Sequence, residues 1–405
     1  MTATAIDPRA AEVLGWLDAR RDAMLDLLRA LVDTDSGSYD KAGVDAVGER
    51  LETFLAGHGV ACRRTRLEAV GDIFRFGPET SAASERPNLL LMGHRDTVFA
   101  KGEAARRPFR VEGGRAYGPG VADMKGGLVM NAFVAAAFAE IAPQVPVVFL
   151  ATGDEEIGSE ASRPFIEAEA RRAKAVFNAE PGRANGNVVG GRKGGFTYHF
   201  DIAGKAAHAG ANFAEGASAI SELAHKIAAL DALVRVEDGV TLTVGLVSGG
   251  TSVNTIAPDA HGEVDVRFVT RAQREQLIED IERIFSTPHV AGTRTAFLRQ
   301  SESLPLAPSP ENEALTRRYL DAARGLGADI AAEFTGGCAD SGIASWAGAP
   351  TVCATGPVGG KVHTADEYIE TATLALRARI LAATICSLIQ DAGLSAGSRN
   401  AFSPM

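Results

Sequence analysis

The sequence predicts an α/β fold, a largely parallel sheet flanked by helices, with a smaller α+β unit inserted into it. Three observations carry this. Short apolar runs (88–92, 145–151 and 175–177) alternate with helical stretches, the pattern of βαβ units. After about Gly194 the order changes to β-α-β-β-α-β, which fits a separate two-layer unit. A chain of 405 residues is too long for one core, so two domains are expected.

Taken in order, residues 9–33 read as one amphipathic helix, with Ala11, Leu14, Leu17, Met24, Leu27, Leu28 and Leu31 at helical spacing. A break at 34–38 precedes a second helix near 41–57. The run 88–92 ends at Gly93 as a buried strand would. An Ala-rich helix (about 125–141) leads to the strand 145–151, and a helix at about 159–172 leads to the strand 175–177. The inserted unit begins with 196–202, which alternates like a half-exposed strand. A helix (217–230), two strands (241–247 and 260–268), a helix (271–285) and a strand (294–298) follow. After Pro305 the chain returns to helix and short strands such as 350–354. It closes with a helix near 370–391, and residues 395–405 are expected to fray.

Hydrophobic content of 46% and charged content of 23% suit a globular protein. A net charge of −10 argues against a nucleic-acid partner, which requires clustered Lys and Arg, but permits an anionic small substrate because a site's field is local. Residues 1–24 carry seven charges and lack the apolar stretch of a secretory signal; no apolar run of about 18 residues suggests a membrane span. Cys62, Cys338, Cys353 and Cys386 form no CxxC pair, so reduced thiols and a cytoplasmic location are expected.

Five segments place a carboxylate or histidine where a pair of metal ions needs one. His94 and Asp96 sit at alternate positions, so His94 can bind a metal while Asp96 orients it; a surface His beside an Arg-Asp pair would look the same. Asp123 lies in a glycine-dense turn, where its two oxygens can bridge two metals or simply cap a helix. Asp154-Glu155-Glu156 follows a buried strand, where three adjacent acids repel one another. A metal pair would give them a use, with Glu156 as ligand and Glu155 free to take a proton from water; a solvated acidic loop is the alternative. Glu180 before Pro181 can complete a ligand shell or be a routine loop residue. His363 supplies a second imidazole, or packs. Two imidazoles and three carboxylates are a nitrogen/oxygen set that Zn²⁺ accepts.

These motifs, in this order and spacing over nearly the whole chain, resemble the M20 family of metallopeptidases, and the Gly-Pro-Gly-x-x-Asp-Met-Lys-Gly-Gly and Gly-Lys-Ala-x-His-Ala-Gly patterns resemble its glutamate carboxypeptidase subgroup most. The resemblance implies a zinc-exopeptidase-like catalytic domain (1–193 and 301–405) and an inserted ferredoxin-like lid and dimerisation domain (194–300). It implies two Zn²⁺ per subunit, with Co²⁺ or Mn²⁺ as alternatives: His94 and Glu180 on one, Glu156 and His363 on the other, Asp123 bridging. Glu155 becomes the general base, Asp96 the residue tuning His94, and His208 a donor to the oxyanion. Asn254, Arg267, Arg192 and the turn at Gly360 become substrate contacts, although Arg267 can equally pair with Asp265 or Glu263. The basic residues expected to hold a glutamate substrate are missing from 184–188 and 301–305; Arg192 and Lys193 are nearby substitutes. The implied reaction is amide hydrolysis in a peptide or N-acyl amino acid with a free carboxylate. An N-carbamoyl or N-carbamate amidohydrolase, or a non-catalytic peptide-binding protein, are the alternatives. A homodimer through the lid is implied, with no membrane and no nucleic acid.

Overall fold

Three apolar runs that the sequence marks as strands lie side by side and parallel: Val147–Thr152, Asn88–His94 and Ala173–Asn178. In the computed structural model, which describes residues 8–79 and 88–391, they are the centre of a mixed sheet. Across that sheet the order is Cys62–Thr65, Ile73–Phe76, Val147–Thr152, Asn88–His94, Ala173–Asn178 and Thr351–Val352. The first two pairings are antiparallel and the other three parallel. Leu91 stands opposite Phe149 on one side and Phe177 on the other, and the middle of the central strand, Leu89 to Met92, is apolar because both its faces are covered. One consequence governs the site: the three parallel strands end at the same edge, and a residue following each emerges there.

The helix Gly126–Ile141 packs against this sheet and against the helices Pro8–Asp18, Lys41–Ala56 and Thr371–Asp391. It is apolar on every side, and all residues from Gly126 to Phe138 are buried. Burying a side chain such as Leu128, Phe133 or Phe138 contributes about 1.5–3 kcal/mol. Val121–Ile141 and Thr371–Gln390 are long and apolar enough to cross a membrane by length and composition, but the first is enclosed in this core.

The described chain divides into two compact units. Unit 1 holds the sheet just described and comprises the chain through Gly191, Pro308–Phe334 and the chain from Ala347. Unit 2 comprises Arg192–Ala307 and Thr335–Trp346. It contains an antiparallel sheet ordered Thr241–Gly249, Asp259–Phe268, Gly194–Ala203 and Arg294–Ser303. Alternation along Gly194–Ala203 sends Phe196, Tyr198, Phe200 and Ile202 into a core shared with Leu223 and Leu230 of the helix Ala219–Asp231 and with Leu277, Ile281 and Phe285 of the helix Arg271–Ser286. The latter helix begins at a capping box of Thr270 and Gln273.

Several expectations need correction. Residues 9–33 form two helices, Pro8–Asp18 and Arg21–Val32, separated at Ala19–Arg20. The apolar period runs through the break because Val13, Leu14 and Leu17 and then Met24, Leu28 and Leu31 face the same core. The helix expected at 159–172 starts only at Arg163, because the Asp154 carboxylate accepts the amides of Ala161 (2.9 Å) and Ser162 (3.2 Å) and holds that stretch as a turn. The strand expected at 350–354 shortens to Thr351–Val352, since Cys353 pairs with Val189 instead. The strand Ile73–Phe76 escapes a reading by alternation because Arg75 is buried within it, paired with Glu169 at 2.8 Å. The expected fraying of 395–405 lies outside the described residues.

Candidate metal centre

Each group at the site is delivered by the end of a core element of unit 1. His94 closes the strand Asn88–His94, Glu155 and Glu156 form the turn after Val147–Thr152, and Glu180 follows Ala173–Asn178. Asp123 lies in the turn Val121–Lys125 that opens the buried helix. That helix approaches the strand ends closely at Gly127, where a Cβ would lie 2.0 Å from the Ala179 carbonyl oxygen; only glycine fits. His363 lies beyond the strand Gly359–Gly360 with φ +62°.

Asp123 divides its two oxygens between the two imidazoles. Oδ1 lies 3.1 Å from His94 Nε2, and Oδ2 lies 3.3 Å from His363 Nε2. On the first side, Glu180 Oε1 is 3.8 Å and Glu155 Oε2 4.0 Å from His94 Nε2. On the second, Glu156 Oε2 is 3.3 Å from His363 Nε2. Donor atoms of His94, Asp123 and Glu156 all lie within 4.8 Å of one another.

Asp96 organises the centre from behind. Its Oδ1 accepts the Glu155 amide (3.2 Å), its Oδ2 accepts the Glu156 amide (3.1 Å) and the Ser38 hydroxyl (2.8 Å), and its backbone carbonyl lies 3.0 Å from His94 Nδ1. Between His94 and Asp96, Arg95 points the other way. Fully buried, it donates to the carbonyls of Thr152 (3.1 Å), Val44 (2.7 Å) and Asp72 and fastens the strand end to its neighbours.

The electrostatics are those of too many acids in too little water. Among the described residues, Asp96, Asp123, Glu155, Glu156 and Glu180 gather around the imidazoles of His94 and His363. Burial pushes the Asp123 carboxyl up, but hydrogen bonds from His363 and His94 outweigh it and hold it below its ordinary range. Burial lowers His94, yet Asp123, Asp96, Glu155 and Glu180 together carry it well above its ordinary value. Asp123 and then Glu156 raise His363 to about 10. Each imidazole therefore holds a proton where cationic charge is wanted. Inward-facing carboxylates with imidazole nitrogens suit a divalent cation of the zinc, cobalt or manganese type.

Two groups here have roles that the motif reading missed. Glu367, fully buried, accepts the amides of Gly120 (3.2 Å), Ala122 (2.8 Å) and Asp123 (2.9 Å), and thus fixes the turn that carries Asp123. Its only sequence signal is an acid four residues after His363, at the edge of the apolar pair Tyr368-Ile369. Asp154, one of the three consecutive acids, has a structural task as the cap described above.

The remaining candidates behave differently. Gly360 belongs to unit 1 and pairs with Tyr368. His208, Asn254, Arg267 and Arg192 belong to unit 2. His208 is exposed, and its Nδ1 accepts the amides of Gly210 and Ala211 (both 3.1 Å), which leaves Nε2 as the donor. Asn254 Oδ1 accepts the Ser252 hydroxyl at 3.1 Å. Arg267 grips Asp265 through two 2.7 Å bonds, the structural pairing that the sequence left open. Arg192 is buried, with Nη1 on the carbonyls of Gly337 (3.1 Å) and Cys338 (3.3 Å).

The pattern of peptidase family M20/M25/M40 matches residues 90–387. The chain belongs to this family. As an M20-type metallopeptidase or amidohydrolase it is a hydrolytic enzyme. Among M20 relatives, carboxypeptidase G2 of Pseudomonas sp. (strain RS-16) is 29% identical over 385 residues, 90% of this chain and 89% of that protein. Acetylornithine deacetylase of Salmonella arizonae is 28% identical over 264 residues, 60% of this chain and 67% of that one. Among solved structures, aminopeptidase PepT from Bacillus cereus superposes with a TM-score of 0.73 at 20% identity, covering 91% of this chain and 98% of that one. The YXEP protein of Bacillus subtilis, described as a dinuclear metal binding peptidase from the M20 family, gives 0.65 at 14% identity, covering 92% and 99%. At such identities these superpositions show the shared fold: a mixed, mostly parallel sheet flanked by helices, with a separate second sheet.

Proposed function

We propose that this M20 protein hydrolyses the amide bond of a peptide or N-acyl amino acid bearing a free carboxylate, using two divalent cations, zinc first among them. The observation that carries this reading is the split of Asp123, Oδ1 toward His94 and Oδ2 toward His363. His94 and Glu180 would hold one ion, His363 and Glu156 the other, and Asp123 both. When bound, the ions supply Lewis acidity that polarises the amide carbonyl and lowers the pKa of water.

The protein's own groups do the rest. Glu155, held at its amide by Asp96, takes the proton of the attacking water and delivers it to the leaving nitrogen. Asp96 keeps His94 oriented and the Glu155-Glu156 turn in place. His208 Nε2–H is assigned as donor to the developing oxyanion. Asn254, Arg267, Arg192 and the turn at Gly360 are assigned to the substrate; Arg267 already engages Asp265 through Nε and Nη2 and Cys338 Sγ through Nη1 (3.2 Å).

A glutamate carboxypeptidase-like exopeptidase is the first version of this reading, supported by the likeness to carboxypeptidase G2. An N-acyl, N-carbamoyl or N-carbamate amino acid amidohydrolase is the second. It is favoured by the engagement of Arg267 and Arg192 with groups of their own unit. A cytoplasmic homodimer assembled through unit 2 completes the proposal. The apolar side chains Leu246 and Val247, 61% and 55% exposed on the edge strand Thr241–Gly249, support such an interface.

The test is a substrate panel on metal-reconstituted protein: N-acyl glutamates, dipeptides, N-carbamoyl and N-benzyloxycarbonyl amino acids. Hydrolysis of N-acyl glutamates or dipeptides supports the first version and selective hydrolysis of N-carbamoyl or N-benzyloxycarbonyl compounds the second. A metal-loaded protein that cleaves none contradicts both.

A further inference from the structure

Glu156 lines more than the candidate metal centre. Beside it a cleft of about 660 Å³ opens between the turn at 37–40, the segment 97–101 and Ile157, all within unit 1. Its volume lies in the range of small-molecule pockets, which runs from about 300 to 1,000 Å³. The walls present Tyr39, Val98, Phe99 and Ile157. Tyr39 is 90% exposed, Val98 46% and Ile157 37%, a cluster of large apolar groups of the kind that marks a binding surface.

The cleft is held by the same framework as the metal centre. Gly37 and Thr97 form a parallel bridge, with Thr97 donating to the Ser36 carbonyl (2.8 Å) and Ser38 to the Thr97 carbonyl (3.1 Å). Gly37 lies so close to the Phe99 carbonyl oxygen that a Cβ would stand 2.4 Å from it, so a side chain at 37 would push the two walls apart. The Ser38 hydroxyl and the Glu156 amide share one acceptor, Asp96 Oδ2. The cleft wall and the candidate metal ligand are thus tied to a single carboxylate oxygen. Among the described residues lining the cleft, Lys101 is the one cation, and it pairs with Asp40 at 3.1 Å.

We propose that this cleft is the acyl-group subsite of the hydrolase and that it receives an uncharged aromatic or branched apolar acyl group. The assignment rests on the amide-hydrolase reading above. Under that reading the free carboxylate belongs to the leaving amino acid. Among its described lining residues the cleft offers a carboxylate no unpaired cation, since Lys101 already pairs with Asp40. It offers an apolar group four large apolar side chains, beginning where the metal centre ends. Discrimination by such a surface is modest, about 10- to 200-fold between acyl groups.

The experiment measures kcat/KM for N-benzoyl, N-(3-methylbutanoyl), N-acetyl and N-succinyl derivatives of glutamate and of alanine, on metal-reconstituted wild type, Tyr39→Ala and Val98→Asp. Wild type is expected to favour benzoyl over acetyl by about tenfold or more and to disfavour succinyl. Both substitutions are expected to reduce the benzoyl-to-acetyl ratio several-fold. Because the readout is a ratio, a general loss of folded enzyme does not mimic the result. Turnover with a flat acyl dependence, a preference for succinyl, or a ratio unchanged in both variants overturns the subsite while leaving the hydrolase reading intact. No turnover of any member overturns the N-acyl amino acid version of the reading and the subsite with it.

Discussion

Asp96 Oδ2 accepts the backbone amide of Glu156 at 3.1 Å, so a residue two positions after one candidate ligand, His94, fixes the backbone of another. Asp96→Asn keeps the size of the side chain but turns an NH₂ toward an amide N–H. The expected result is a 10- to 100-fold loss of metal affinity with the fold retained, measured by competition with a chelator. An unchanged affinity would show that the centre does not depend on this carboxylate.

Glu155 Oε2 stands 4.0 Å from His94 Nε2, farther than Asp123 Oδ1 at 3.1 Å. Glu155→Gln is expected to bind as much metal as wild type while kcat drops by about 10²–10⁴. Retained turnover would remove Glu155 from proton transfer, and loss of metal would make it a ligand.

Protons and metal compete for the same imidazole nitrogens. In the metal-free chain both imidazoles are raised, His363 to about 10, so their protonated forms stabilise the fold at and below the ordinary histidine pKa of about 6.5, and that contribution is lost as pH rises through about 10. Metal binding requires the neutral rings. Apparent metal affinity is therefore expected to rise from pH 6 to pH 9, with about two protons released per chain. Calorimetric titration in buffers of different ionisation heat measures the release; no release, or affinity that falls with rising pH, contradicts this electrostatic picture.

Glu367 is buried with three amides on its carboxylate and is raised to about 7, chiefly by burial. In Glu367→Gln one carboxylate oxygen becomes an NH₂ facing donors, and an unsatisfied buried amide costs about 1–3 kcal/mol. Denaturant unfolding should show a loss of that size. A change under about 0.5 kcal/mol would mean that the turn at Asp123 holds itself.

What could be read in advance follows from how each signal is encoded. The strand Asn88–His94 was legible because a doubly covered parallel strand is apolar along its middle, here Leu89 to Met92, and stops at its functional end. The alternation of Phe196, Tyr198, Phe200 and Ile202 was legible because one face of that sheet is wet. The strand with Arg75 was hidden because its partner, Glu169, is nearly a hundred residues away and pairing is not a local property. The break at Ala19–Arg20 was hidden because both helices bury their apolar stripe in one core. Within the centre, acids aimed inward left a motif, whereas Glu367 and Asp154 serve backbone amides, a task with no fixed spacing.

The most direct test of the two-ion centre is metal analysis of protein purified without chelators, compared with Asp123→Asn prepared identically. About two divalent ions per wild-type chain are expected, with loss of both, and of activity, in the variant, because the Asp123 oxygens face both imidazoles. A wild-type protein that is fully active without metal, or a variant that keeps both ions, would contradict the two-ion centre.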